Sequence, residues 1–314
     1  MNNQKFGYFI LFKYFCKYLN KMDLFSISQL QQFSGIKAHT IRIWEQRYNA
    51  LSPGRSEGNT RYYSNDQLRR LLNIVSLMGY EYKISELCSM PDEKLFKIIN
   101  SHLKNLSSPD LAIEYTVSQL LAAGMSLDET YFNSLFSESI ARYGIKNTYI
   151  NVIYPMLARI GIMWTNDTMP PAQEHFISNI IRQKLFTAID SLPPVKSSKD
   201  AWLLFLPENE FHEIGLLFAQ YVIRSKGKKV FYLGCNVPLD TIAKVVKEIT
   251  PSNILFFLVH NNIPVDTQEY LNTLSANFKK TNIYLSGSEK LISELKPGKS
   301  IQWIRSVEEL EKQL

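Results

Sequence analysis

The sequence predicts a multidomain protein of α and α/β class: a winged helix-turn-helix, a central four-helix bundle and a C-terminal doubly wound α/β domain. Three observations carry that prediction. From Phe25 to His102, short helical segments are separated by glycine- and arginine-bearing turns. From Ser108 to Leu192, apolar residues recur at helical spacing. Beyond a proline-rich break, continuous apolar runs alternate with amphipathic stretches, the pattern of a parallel sheet covered on both faces. With 314 residues the chain can bury more than one core.

The expected boundaries are 1–22 for an N-terminal extension, 23–104 for the winged domain, 105–192 for the bundle, 193–200 for a linker and 201–314 for the α/β domain. The extension is apolar, aromatic and basic, but its longest uncharged run, Phe6 to Phe12, is too short to span a bilayer. It also lacks the long apolar core and small-residue cleavage site of a signal peptide. It reads as a disordered or non-native tail ahead of a start at Met22. Its composition leaves a membrane-surface segment open as the alternative.

In the winged domain, Ser28-x-x-Gln31 and Ser64-x-x-Gln67 match capping boxes, and Gly35 stands where a first helix would end. The run FSISQLQQFSGIKAHTIRIWEQRY places two short helices about a glycine-containing turn. The second, Ala38 to Tyr48, would carry His39, Thr40, Arg42 and Arg47 outward, with Ile41 and Trp44 facing inward. Arginine on such a helix can read guanine edges or pair with phosphate in the major groove. A hairpin from Ser52 to Ser64 follows, with Arg55 and Arg61 flanking its tip and Tyr62 beside them. A basic wing next to a recognition helix adds a backbone contact that fixes register. Double-stranded DNA is thus the expected partner. A net charge of +6 and a pI near 9.0 agree without deciding the matter.

The bundle is expected to open with Ser108 capping a first-turn Pro109, and a further capping box is read at Ser126-x-x-Glu129. Tyr131, Leu135, Phe136 and Ile140 keep helical spacing, and helices of this length with short connections pack as a four-helix bundle. Pro193 to Lys199 reads as a linker. The runs WLLFL (202–206), KVFYL (229–233), NILFFLV (253–259) and NIYLS (282–286) then supply the strands of a flavodoxin-like domain. His212 falls just after the first strand, at the mouth of the sheet, where open α/β folds bind ligands. Cys16, Cys88 and Cys235 are too scattered for a disulfide framework or a zinc site and suit a reducing cytoplasm. A catalytic triad, paired carboxylates and a phosphate-binding glycine loop are absent from the sequence pattern, so no enzyme is expected.

The run from Phe25 through Leu72 resembles the DNA-binding domain of the MerR family of regulators. The resemblance rests on IRIWEQRY, on the P-x-R entry to the wing at Pro53 to Arg55, and on N-T-R-Y-Y-S before a helix rich in Leu and Arg. One departure is Lys37-Ala38, where the family has a serine cap and a small polar residue. Downstream, Glu210-x-His212-x-x-Gly215, with Tyr232-Leu233-Gly234 and Val237-Pro238, resembles the signature of cobalamin-binding domains. That resemblance implies His212 as the lower cobalt ligand, Glu210 as the residue orienting it, and Gly215, Gly234 and Gly287 as positions of close approach to the cofactor. Trp164 with Glu174-His175 resembles the cap of the cobalamin-dependent photoreceptor repressors of carotenoid genes. There the tryptophan and glutamate enclose the upper face of adenosylcobalamin, and the histidine can take the upper cobalt position after light breaks the cobalt–carbon bond.

Two positions depart from the cobalamin pattern. Bulky residues, Ile254 to Leu258, replace a small Ser-x-Leu in the third strand, so Phe257 would line the tunnel for the cofactor's tail. Ser286-Gly287-Ser288 stands where Gly-Gly is usual. Taken together, the resemblances imply a cytoplasmic, membrane-free regulator that forms a homo-oligomer, dimer or tetramer. Its operator binding would answer to adenosylcobalamin. The alternatives are a degenerate sensor that answers to a protein partner and a corrinoid carrier in methyl transfer.

Overall fold

The computed structural model describes residues 24–56, 58–78, 82–95, 97–98, 109–165, 169–195, 200–260, 263, 265–298 and 300–314. The N-terminal extension, the Ser108 cap and residues 196–199 of the linker lie outside the described residues. The chain divides into two units, Met1–Ile177 and Ser178–Leu314.

The first unit opens with β1 (Leu24–Phe25), α1 (Ile27–Ser34), α2 (Ala38–Tyr48), β2 (Gly54–Arg55), β3 (Arg61–Ser64), α3 (Asn65–Leu77) and α4 (Ile84–Ser89). Helix α1 is capped by Ser26 and Gln29, not by the expected Ser28 and Gln31: the amide of Gln29 donates to Ser26 Oγ at 3.3 Å and that of Ser26 to Gln29 Oε1 at 2.8 Å. The two frames overlap in sequence. The pairing of Phe25 with Tyr63 in the sheet selects the earlier one, because it holds the chain extended up to Ser26. Gln31 is thereby released for another task. Its Oε1 accepts from the amide of Ala38 at 2.8 Å, where Lys37 supplies no side-chain cap to α2. Gly35 ends α1 at φ +71°, as expected of a left-handed C-cap. Phe25, Leu30, Phe33, Ile41, Trp44, Tyr63, Leu68 and Leu72 form the buried core beneath these helices.

The bundle follows as α5 (Pro109–Met125), α6 (Glu129–Thr148), α7 (Tyr154–Thr165) and α8 (Pro171–Asp190), the last running from the first unit into the second. One π-helical turn, Tyr149–Ile153, joins α6 to α7. Helix α6 is capped by Asp128, which accepts from the amide of Tyr131 at 3.0 Å, in place of the expected Ser126. Ser126 stays with the helix before it, its hydroxyl donating to the carbonyl of Ala122 at 2.9 Å. A buried polar contact ties the bundle to the winged domain: Gln119 Nε2 of α5 donates to Asn73 Oδ1 of α3 at 3.0 Å. Tyr131 in turn donates to Gln119 Oε1 at 3.2 Å.

The second unit is built on five parallel strands, β4 (Trp202–Pro207), β5 (Val230–Val237), β6 (Asn253–Leu258), β7 (Asn282–Gly287) and β8 (Ile301–Trp303), in the spatial order β5-β4-β6-β7-β8. The connecting helices are α9 (Ile214–Ser225), α10 (Leu239–Ile249), α11 (Thr267–Asn277) and α12 (Glu289–Ser293), and α13 (Val307–Glu311) follows the last strand. This is the doubly wound, flavodoxin-like order expected from the apolar runs. The fifth strand has only three residues and carries too little pattern to be read from sequence. Leu203, Phe205, Ile254, Phe256, Ile283 and Leu285 are fully buried, and the rings of Phe205 and Phe256 stack 5.7 Å apart. Burying one such side chain contributes about 1.5–3 kcal/mol. The chain leaves β4 toward β5 and leaves β6 toward β7. The loops after β4 and β6 therefore diverge and open a crevice at the carboxyl ends of the strands.

Candidate functional site

In the first unit, α2 and the β2–β3 hairpin are neighbours, joined by Glu45 to Tyr63 and Arg61. Ile41 and Trp44 are buried, whereas His39, Arg42 and Arg47 are exposed and Thr40 is half-buried. Arg55 and Arg61 sit directly opposite each other across the hairpin, hence on one side of it. Arg55 is exposed and donates to Asn59 Oδ1 at 2.5 Å. Tyr62 lies across Gly54, where an added Cβ would meet the tyrosine ring at 2.2 Å and displace it. Arg61 is partly withdrawn from solvent, its Nε 3.2 Å from Glu45 Oε2.

Glu45 is the residue that sequence reasoning passed over. It is 8% exposed on the recognition helix and accepts the Tyr63 hydroxyl at 2.5 Å in addition to pairing with Arg61. A buried carboxylate without partners would cost several kcal/mol, so this pair of contacts fastens helix to wing. Burial first, and then the hydrogen bond and charge of Glu45, push the Tyr63 phenol well above its ordinary range, which keeps it a donor. A signal was present. Positions 41, 44 and 45 share the inward stripe of a helix, so an acid at 45 had to meet partners inside.

The second candidate site lies in the crevice of the second unit. Glu210 follows β4, is 2% exposed, and accepts hydrogen bonds through both carboxylate oxygens. Oε1 takes the amides of Phe211 at 2.9 Å and His212 at 3.1 Å, and His212 Nδ1 lies 2.5 Å away. Oε2 takes the amides of Val259 and His260, both at 2.9 Å, from the loop after β6. Burial alone would raise the Glu210 carboxyl. The hydrogen bonds from the His212 ring and from the amides of His260, Val259 and His212 outweigh burial and bring it down from 4.5 to about 2. Glu210 is therefore an anion that locks two neighbouring loops. The His212 ring, 52% exposed, is held at Nδ1 and keeps Nε2 for a ligand outside.

Other residues named from sequence surround this clasp. Gly234 is buried at φ +77°. Nearby, Tyr232 donates to Glu213 Oε1 at 2.8 Å, and Arg182 Nε stands 3.7 Å from Glu213 Oε2. Gly287, at φ +135°, must be glycine because an added Cβ would fall 2.0 Å from the carbonyl oxygen of Leu258. Ser286, which stands where a glycine is usual, donates to the carbonyl of Ile304 at 2.8 Å. At Gly215 the bare backbone receives the Phe257 ring, with a would-be Cβ only 3.0 Å from Phe257 Cε1.

A corrinoid held through a protein histidine needs an imidazole nitrogen offered to cobalt and an oriented ring behind it. Glu210 and His212 meet that requirement. Beside them, Phe257 fills the space over Gly215.

The proposed cap residues lie on two helices of the first unit. Trp164 falls near the end of α7, and its side chain is outside the described residues. Glu174 is in the first turn of α8, with Oε2 2.6 Å from Nδ1 of His175, which is 70% exposed. Among the described residues no helix is long and apolar enough to cross a membrane.

Comparison with known proteins bears on the winged domain and on the bundle. Residues 25–88 match the MerR HTH family of regulatory proteins, and residues 116–188, which fall within the bundle, match a B12 binding domain. The HTH-type transcriptional repressor CarH of Myxococcus xanthus is 25% identical over 252 residues, covering 80% of this chain and 84% of that protein. The repressor CarA of the same organism is 24% identical over 239 residues, covering 76% of this chain and 77% of that protein. In fold, the chain resembles the monomethylamine corrinoid protein of Methanosarcina barkeri, with a TM-score of 0.51 and 14% identity over 62% of this chain and 94% of that one. The chain is thus a transcriptional regulator that joins a MerR-type helix-turn-helix to a B12-binding module, homologous to the CarH and CarA repressors.

Proposed function

We propose that this regulator takes adenosylcobalamin as its effector, and that occupancy alters its oligomeric state and thereby its grip on a DNA operator. The observation that carries the reading is the clasp of His212 by the buried Glu210 carboxylate, with Nδ1 held at 2.5 Å. His212 would be the lower axial ligand and Glu210 the residue that fixes its tautomer. Gly215, Gly234 and Gly287 would admit the corrin edges. Bound there, the cofactor would supply a light-cleavable cobalt–carbon bond. The chain's own residues bind and orient, and none is asked to catalyse turnover. Operator binding needs two winged domains presented at half-site spacing, so a change from one oligomer to another is enough to switch it.

At the DNA, Arg42 and Arg47 with His39 and Thr40 would enter the major groove, while Arg55, Arg61 and Tyr62 would hold the wing against the backbone. Arg42→Ala is expected to weaken operator binding by roughly 1–3 kcal/mol in a gel-shift assay, and an unchanged affinity would refute this docking. For the effector, the chain is incubated with adenosylcobalamin in the dark, separated from excess, and its absorption and elution are compared before and after illumination. A bound corrinoid spectrum with a light-dependent elution shift is expected. A colourless protein sinks the effector reading.

One observation favours a second reading, a module that answers to a protein partner. Phe257 already occupies the space over Gly215. If Phe257→Ser created corrinoid binding where the parent chain has none, this second reading would prevail.

A further inference from the structure

Val259 and His260 follow β6 directly, and their amides share Glu210 Oε2, while Oε1 of the same carboxylate holds His212 Nδ1. One buried anion therefore draws two histidines, from loops about fifty positions apart in sequence, to the point where the strand order reverses. Their rings stack, with centroids 4.3 Å apart and planes 18° from parallel. A hydrogen bond at Nδ1 selects the tautomer of His212 but leaves the imidazole able to rock about that contact. A second ring against its face removes the rocking.

We infer that His260 is a positioning residue for His212, its stacked ring setting the plane in which Nε2 is offered to the cobalt of a corrinoid. The inference rests on the reading of His212 as axial ligand. The stack also argues against the two histidines sharing an ion, because lone pairs in parallel ring planes do not converge on one point. Among the described residues there is no group of three or more side chains able to hold a metal. His260 is exposed and its backbone, not its ring, bonds Glu210, so replacing the ring leaves the carboxylate clasp in place.

The test uses the full chain made with histidine labelled with the heavy nitrogen isotope, as wild type, His260→Ala and His260→Phe. Each is loaded with hydroxocobalamin, reduced to the cobalt(II) state and examined by electron paramagnetic resonance. Ligation by a labelled imidazole splits the cobalt lines into doublets, and ligation by the cofactor's own unlabelled base splits them into triplets. Wild type and His260→Phe are expected to show doublets, since a phenyl ring stacks as an imidazole does. His260→Ala is expected to lose most of the doublet signal and to retain corrinoid roughly tenfold less well on gel filtration. Undiminished doublets in His260→Ala would overturn the role of His260, as would their complete loss in His260→Phe. Triplets in the wild type, or no retained corrinoid, would overturn the assignment of His212 itself and the inference with it.

Discussion

Glu45 in the winged domain and Glu210 in the sheet domain are both buried carboxylates that fasten two chain segments, yet they are satisfied in opposite ways. Glu45 is held by side chains, the Tyr63 hydroxyl and the Arg61 guanidinium. Glu210 is held by four backbone amides and one imidazole. Side-chain partners can leave and find water when conditions change, and Arg61 is one of the residues proposed to meet DNA. Backbone partners cannot leave without moving the loops that carry them. The contrast suits the two proposed tasks. A wing must adjust to a duplex, whereas an axial ligand must stand still before its metal arrives.

Substitutions at the two glutamates sharpen the comparison. The largest effect is expected for Glu210→Gln, which places an amide N–H₂ against backbone donors that keep their positions. A loss of roughly 3 kcal/mol of stability in urea unfolding is expected, and a loss below about 1 kcal/mol would remove the distinction. Glu45→Gln retains an oxygen for Tyr63 and frees Arg61 to turn to solvent, so about 1 kcal/mol is expected from the same measurement. The smallest stability effect belongs to Arg55→Ala at the exposed hairpin tip. It should change stability by less than about 0.5 kcal/mol while still weakening operator retention as salt is raised. A stability loss as large as that of Glu45→Gln would mean that the wing is anchored at its tip and not at its base.

The buried pair Asn73 and Gln119 offers a third point of reference, since it joins winged domain to bundle through neutral groups. Asn73→Leu leaves the Gln119 amide without that acceptor, at an expected cost of about 1–3 kcal/mol. Placing that loss between those of Glu45→Gln and Glu210→Gln in one urea series would rank the junctions of the molecule by strength.

Much of this architecture was legible from residues alone. Helix α2 begins and ends where IRIWEQRY and its flanks predicted, because an apolar stripe and a glycine turn are local signals. The four apolar runs became four parallel strands for the same reason. The motif residues Glu210 and His212 are two positions apart, so their contact needed no long-range knowledge. The caps were less legible. Ser26 won over Ser28 because β1 pairs with β3 across almost forty residues of chain, and no local pattern reports that pairing.

The sequence by itself determined which segments are helix or strand, which face of α2 is buried, and that His212 stands at the mouth of the sheet. Those properties follow from the periodicity of apolar side chains and from the short reach of turns and caps. Only the tertiary structure decided that Glu45 would fasten the wing, that Phe257 would seat on Gly215, and that His260 would stack on His212. Each of these joins segments remote in sequence. Their meeting depends on strand order and helix packing, which exist only once the chain has closed on itself.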